Sequence, residues 1–196
     1  TSSATFSVMD REEILSKIKT VKDSVEAKIF PNIYLMHGDF EDEEMNELYN
    51  HPKVKAHVSF THGEGFGRPL LEACVSGKPI VASNWSGHLD FLNPEYNFLV
   101  GGGLEQVDES AANDWIRKES KWFTINYGEG AGILKWIYDN YKKAEERSRK
   151  NRKYVKDNFT IRKMTELLDN ILQKHDAGKG PQQVTLQLPK LKKVES

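Results

Sequence analysis

The sequence predicts an α/β fold: a Rossmann-like parallel sheet with helices on both faces, closed by C-terminal helices. Two observations carry this. An apolar run (Ala56 to Phe60), a glycine-bearing turn (Gly63 to Gly67), a helical start at Pro69 and a second apolar run (Pro79 to Ala82) follow in order. Strand, tight loop, helix, strand is the grammar of a βαβ unit. Short apolar runs then keep alternating with helix-period stripes to about residue 100, beyond which most of the periodicity is helical.

Taken in order, Thr5–Met9 reads as a short strand, and Asp10-x-x-Glu13 as a capping-box-like start. Ile14, Ile18, Val21 and Val25 recur at helical spacing, predicting a helix over about Arg11–Lys28. A strand at Ile33–His37 and a helix at Glu41–Asn50 follow, with acidic Asp39-Phe40-Glu41-Asp42 suiting a helix start rather than a metal-binding D-x-D site. Strands are expected at His57–Thr61, Ile80–Ser83 and Phe98–Val100, separated by helices at Pro69–Ser76 and about His88–Leu92. Pro69 suits a first helical position, where its missing N–H costs nothing. Asp108–Lys118, with Trp115 and Ile116, reads as a short helix. Ile133, Leu134, Ile137, Tyr138 and Tyr141 predict one longer helix to about Asn151. A final helix, capped by Asn158 or Thr160, would carry Ile161, Met164, Leu168 and Ile171. Residues 1–172 then form one domain, and residues 173–196 a polar tail. Within the tail, Val184-Thr185-Leu186-Gln187-Leu188 alternates as a strand that adds to a sheet edge would, or simply belongs to a disordered end.

Composition narrows the function classes. With 196 residues and 38% hydrophobic content, the chain buries one sizeable core. A net charge of −1 is not that of a basic nucleic-acid surface, so no nucleic-acid partner is expected. The longest apolar runs are too short to span a bilayer, which leaves at most peripheral membrane contact. The single cysteine, Cys74, has no internal disulfide partner and sits among small residues; it reads as a packed hydrophobe in a reducing, cytoplasmic setting. The triplets Asn84-Trp85-Ser86 and Asn158-Phe159-Thr160 are then chance matches to a glycosylation pattern.

Chemistry concentrates in His62-Gly63-Glu64-Gly65-Phe66-Gly67-Arg68-Pro69-Leu70-Leu71-Glu72-Ala73. Glu64 belongs to the loop, and Glu72 stands about one turn inside the helix. The turn between them leaves backbone N–H groups free at a helix start, which carries roughly half a positive charge. Free N–H groups beside a carboxylate can hold an anion and a polyol together, as nucleotide-sugar binding requires. The dinucleotide fingerprint fails, because Leu70 stands where a small residue is needed, and the P-loop fails because Pro79 follows Gly77-Lys78.

Glu64 through Glu72 resembles the E-x7-E motif of retaining GT-B glycosyltransferases, in the EGFGxPxLEA form of the family-4-like group. Ser76-Gly77-Lys78-Pro79-Ile80-Val81-Ala82-Ser83-Asn84 is similar to that family's following strand. Ser86-Gly87-His88-Leu89-Asp90-Phe91-Leu92 resembles its G-G-x-x-E-x-(V/I) segment, with Asp90 where glutamate is usual. Upstream, Asn32 to Gly38 and Glu43 to Tyr49 are similar to further family segments. The resemblance covers about residues 30 to 100 well and 101 to 172 in outline.

It implies the donor-binding, C-terminal domain of a hexosyltransferase-type enzyme that transfers a glycosyl group, with retention, from a nucleotide-diphosphate sugar. Glu64 corresponds to the catalytic glutamate near the donor sugar's reacting carbon. Glu72 corresponds to the glutamate that accepts from both ribose hydroxyls. Gly65, Phe66 and Gly67 would give backbone N–H groups to sugar or phosphate. Arg68 would reach a phosphate or stay exposed, and Leu71 would line the ribose slot or pack. Met36, His37 and Gly38 fall where the family's backbone reads the nucleobase, and His88 is expected to be a spectator or a weak phosphate contact. No cofactor and no catalytic metal are expected. The acceptor (glycan, lipid or protein) would sit on a separate N-terminal GT-B domain that is not recognisable here, so the chain is expected to be a fragment, inactive alone. The alternative is a non-catalytic nucleotide- or carbohydrate-binding module of the same fold; a dinucleotide-dependent oxidoreductase stands third.

Overall fold

The computed structural model describes residues 6–27 and 29–176. It comprises two compact units, one ending at Val54 and the other beginning at Lys55. In the first, helix α1 (Val8–Ser24) begins earlier than the sequence pattern implies. Ser7 is its N-cap: the Ser7 hydroxyl accepts from the Asp10 N–H at 3.1 Å, and the Asp10 carboxylate accepts from the Ser7 N–H at 3.2 Å. The capping box is thus Ser7-x-x-Asp10, three residues ahead of the one read from sequence, and Val8 and Met9 are helical rather than part of a strand. Thr5, the first residue of that expected strand, lies outside the described residues. Ile33–His37 is not a strand either: it has no regular secondary structure and no ladder partner among the described residues, and Ile33, Tyr34 and Met36 are exposed. Helix α2 (Asp42–Asn50) starts from Glu41, whose N–H is accepted by the Glu44 carboxylate at 3.0 Å.

The second unit holds the sheet. Strands β1 (His57–Ser59), β2 (Ile80–Ser83) and β3 (Phe98–Val100) pair in parallel in the order β1-β2-β3, with Val58 opposite Val81 and Ala82 opposite Leu99. Helix α3 (Arg68–Val75) crosses from β1 to β2. All four residues of β2 are buried, so both faces of this central strand are covered. Val81 packs in a cluster with Phe98, Val100, Phe123, Ile125, Ile137 and Ala144. Strand alternation turns Ile80 and Ala82 the other way, and α3 contributes its own buried Leu70, Ala73 and Cys74 outside that cluster.

Two departures from the sequence reading lie C-terminal to the sheet. Strands β4 (Gly102–Gln106) and β5 (Lys121–Ile125) form an antiparallel pair in which Leu104 faces Phe123. The expected helix at Asp108–Lys118 is instead the connection between them, with one 3₁₀ turn at Glu109–Ala111. Local side-chain bonds win there: Asp108 accepts from the Ser110 N–H, and Asn113 accepts from the N–H groups of Trp115 and Ile116. The single long helix is also two, α4 (Tyr127–Asp139) and α5 (Tyr141–Asn158). Asn140, at φ −126° and ψ 37°, breaks the run, and its N–H and side-chain NH₂ both cap the Trp136 carbonyl. The break lets Ile133, Ile137 and Tyr141 all reach the core, while Tyr138 stays 85% exposed.

Helix α5 buries Ala144, Ser148, Asn151 and Val155 along one stripe and packs on α3, where the Asn151 amide donates to the Cys74 thiol at 3.2 Å. Arg147 donates to the carbonyls of Pro94, Glu95 and Asn97 at 2.6–2.8 Å and lies over the Phe98 ring. Helix α6 (Ile161–Asp176) continues past residue 173, with Thr160 accepting from the Lys163 N–H as the expected cap. Val184 to Leu188 lie outside the described residues.

Candidate functional site

The glycine-bearing loop leaves the carboxyl end of β1 and enters α3 through Gly67, whose φ of 84° and ψ of 47° are left-handed. A side chain at 67 would be strained and would also meet the His88 Cβ at 3.0 Å, which is why glycine stands there. The helix begins at Arg68, so Pro69 is its second residue rather than its first; the N–H it lacks is still one that no helical turn would use. Among the described residues, the N–H groups of Gly65, Phe66, Gly67 and Arg68 have no hydrogen-bond partner in the chain. They form a row of donors leading into the positive end of α3.

Glu64 is held at its backbone. Its N–H is accepted by the Ser86 hydroxyl at 2.6 Å, and its carbonyl accepts from that hydroxyl at 2.7 Å and from the Gly87 N–H at 3.0 Å. The turn of Trp85, Ser86 and Gly87 leaves the carboxyl end of β2, so loops from two adjacent strand ends meet at Glu64. Crevices at the carboxyl ends of parallel strands are where open α/β sheets place ligands. The aliphatic stem of Glu64 runs beside Gly67, since a Cβ there would lie 3.7 Å from both Cβ and Cγ of Glu64.

Two ring stacks join this region to the β4–β5 pair. His62 lies flat on Trp122, centroids 3.8 Å apart, and Trp85 lies flat on Phe123 at 5.5 Å. The His62 Nδ1 donates to the Phe123 carbonyl at 2.7 Å, since a carbonyl can only accept. Phe66 is half-exposed and tilts onto buried Phe91, centroids 5.2 Å apart, which ties the loop tip to the core.

Glu72 sits on the second turn of α3 and pairs with Arg68, Nε to Oε1 3.0 Å, both side chains well exposed. Arg68 thus meets its own helix rather than standing alone, and Leu71 is partly buried beside fully packed Leu70. His88 is fully buried, and its Nε2 donates to the Ser83 carbonyl at 2.6 Å. The enclosed ring braces the β2 turn through that bond, while its Nδ1 has no hydrogen-bond partner among the described residues. Met36, His37 and Gly38 belong to the other compact unit. There the His37 ring meets Phe6 edge-on, and Met36 is half-exposed. A concavity of about 360 Å³ lined by Gly101 to Gly103, Glu105, Asn126 and Glu129 contains no member of the 64–72 run.

Sequence reasoning passed over Ser86. The signal was present: Ser86 occupies the first position of a segment resembling G-G-x-x-E, so a residue with a Cβ stands where a glycine is usual.

A three-stranded parallel sheet flanked by helices, with a glycine loop and Glu64 at its carboxyl edge, defines a Rossmann-like α/β domain. The chain matches the family model of the glycosyl transferases group 1 over residues 16–120, more than half its length, and belongs to that family. It is therefore a glycosyltransferase domain. A comparison with curated proteins gave no match. No helix among the described residues is long and apolar enough to cross a membrane.

Proposed function

We propose that this chain is the donor-binding domain of a GT-B enzyme of the family-4-like, E-x7-E type, and that it takes a nucleotide-diphosphate sugar and passes on its glycosyl group with retention. The observation that carries the reading is the row of unpartnered N–H groups from Gly65 to Arg68, running from Glu64 into the start of α3. Oriented backbone donors at a helix start suit a diphosphate or the sugar hydroxyls beside it, and they need no reorganisation when the ligand arrives.

In this reading Glu64 accepts from hydroxyls of the donor sugar, and its negative charge favours the oxocarbenium-like charge that develops as the glycosidic C–O bond breaks. The leaving diphosphate takes the electron pair of that bond and gathers charge, which the N–H row and Arg68 offset. Glu72, an acceptor with two oxygens, takes both ribose hydroxyls. Its pairing with Arg68 is then the resting arrangement, which ribose and phosphate divide between them. For Met36, His37 and Gly38, backbone recognition of the nucleobase rests on the resemblance alone. The reading requires no catalytic metal and places the acceptor on a further domain, in a cytoplasmic setting.

Titration of the chain with UDP-, GDP- and ADP-sugars, followed by calorimetry, tests the reading. Loss of even one hydrogen bond to a carboxylate is worth about 1.5–3 kcal/mol, so Glu72→Ala, which removes two, is expected to weaken the preferred nucleotide by at least roughly 10- to 150-fold. Unchanged affinity in that variant removes the ribose role. With the chain fused to an N-terminal acceptor domain, Glu64→Gln is expected to bind the nucleotide normally yet lower turnover by roughly 10²- to 10³-fold; full turnover removes the sugar role.

A further inference from the structure

Ser86 has a backbone conformation that residues with a side chain rarely adopt. Its φ is 78° and its ψ −162°, and it is the one non-glycine residue with positive φ among those described. That region of the map belongs essentially to glycine, and an L-residue persists there only when its surroundings over-determine it. The surroundings here are Glu64. One hydroxyl accepts the Glu64 N–H at 2.6 Å and donates to the Glu64 carbonyl at 2.7 Å, and the next residue's N–H adds a third bond to that carbonyl at 3.0 Å.

Glycine at 86 would follow the same path without strain. It would keep the Gly87 bond and lose the other two. The serine therefore sets local strain against two hydrogen bonds of comparable total worth, and brackets both backbone polar groups of one residue. Close contact leaves the bracket little freedom: a Cβ on Gly87 would stand 2.0 Å from the Gly65 carbonyl oxygen and 2.9 Å from that of Glu64. The Cβ and Cγ of Glu64 also lie beside Gly67. The backbone of Glu64 and the first atoms of its side chain, from which the carboxylate projects, are thus both held by neighbours.

We propose that Ser86 is a positioning residue, whose hydroxyl sets the place of the Glu64 carboxylate for glycosyl transfer at the cost of local strain. The proposal rests on the reading of Glu64 as the group that meets the donor sugar. A reacting group must be held within a fraction of an ångström, and its supporting neighbours decide whether it is.

Two variants of the full chain separate the hydroxyl from the strain. Ser86→Gly removes both, and Ser86→Ala removes the hydroxyl and keeps the Cβ. Ser86→Gly is expected to melt close to the parent temperature, relief of strain offsetting the two lost bonds, and Ser86→Ala below it. In both, the Glu64 amide, followed by NMR hydrogen exchange, is expected to exchange at least about tenfold faster because its acceptor is gone. With the chain fused to an N-terminal acceptor domain, release of nucleoside diphosphate from UDP-glucose, GDP-mannose and ADP-glucose serves as the kinetic probe. The expected result is a kcat lowered by about tenfold with KM within about twofold, the signature of an interaction that matters in the transition state. In a Glu64→Gln background, Ser86→Gly is expected to lower kcat no further. Parental exchange at the Glu64 amide in Ser86→Gly overturns the proposal, as does parental kcat in Ser86→Gly where Glu64→Gln is impaired. Full turnover in Glu64→Gln overturns the assignment of Glu64 instead, and amide exchange still decides whether the bracket exists.

Discussion

Replacing Gly87 with alanine tests the packing that joins the two loops at Glu64. The new Cβ would lie 2.0 Å from the Gly65 carbonyl oxygen and 2.7 Å from its carbon, where ordinary contact begins near 3.4 Å. Both obstructing atoms are backbone, so no rotamer change opens the gap, and the two chains must part by about an ångström or more. Parting them stretches the Gly87 N–H bond to the Glu64 carbonyl and the two Ser86 bonds beside it. Forced overpacking costs roughly 1–3 kcal/mol, and each net hydrogen bond lost adds roughly 0.5–1.5 kcal/mol. A total of roughly 2.5–7.5 kcal/mol follows, which for a unit of this size lowers the melting temperature by about 10 °C or more. Circular dichroism melts of Gly87→Ala against Gly103→Ala make the comparison, because Gly103 sits on exposed β4 with nothing within 4 Å of an added Cβ. Gly103→Ala should melt close to the parent. If Gly87→Ala does so as well, the loops are not locked together in the way described.

Burial pushes the Cys74 thiol up to about 12 from its ordinary value of 9.0, against the lowering effect of the Asn151 amide. The sign follows from the raised value. Below about pH 9 both states keep the proton and the group contributes no slope. Between 9 and 12 only the unfolded chain releases it, so stability falls as pH rises, by about 2 kcal/mol at pH 10.5. Urea unfolding of the parent and of Cys74→Ala at pH 8 and pH 10.5 should show the extra loss in the parent alone. Equal losses in both proteins count against it. Arg147→Lys keeps the charge but cannot fork to the carbonyls of Pro94, Glu95 and Asn97. It should lower unfolding free energy by about 2 kcal/mol in denaturant titration, and a change under about 0.5 kcal/mol would show that water satisfies those carbonyls equally well.

The stretch from β1 to β2 was legible because its instructions are local. Apolar runs bounded by a glycine turn and a proline near the helix start act over a few residues, and the structure returns β1, α3, β2 and β3 close to where they were expected. The β4–β5 pair was not legible. Trp122, Phe123, Thr124 and Ile125 have strand propensity, yet their partners are glycine-led Gly102 to Gln106, across a connection rich in local turns. The break at Asn140 was hidden by a stripe that stays in helical register on either side of it. Residues 33–37 show the converse error: an apolar run that forms no ladder.

By itself, then, the sequence determined the class of fold, the family, and the loop–helix run that bears Glu64 and Glu72. Each of these is written in residues close together along the chain, where periodicity, glycine and proline act directly on the backbone. Only the tertiary structure decided what holds Glu64. Ser86 lies 22 residues away and is brought beside it because β1 and β2 pair in parallel and their carboxyl ends open on the same edge. Hydrogen-bond geometry depends on where atoms meet in space, and the spacing of residues along one strand cannot specify which turn will close over it.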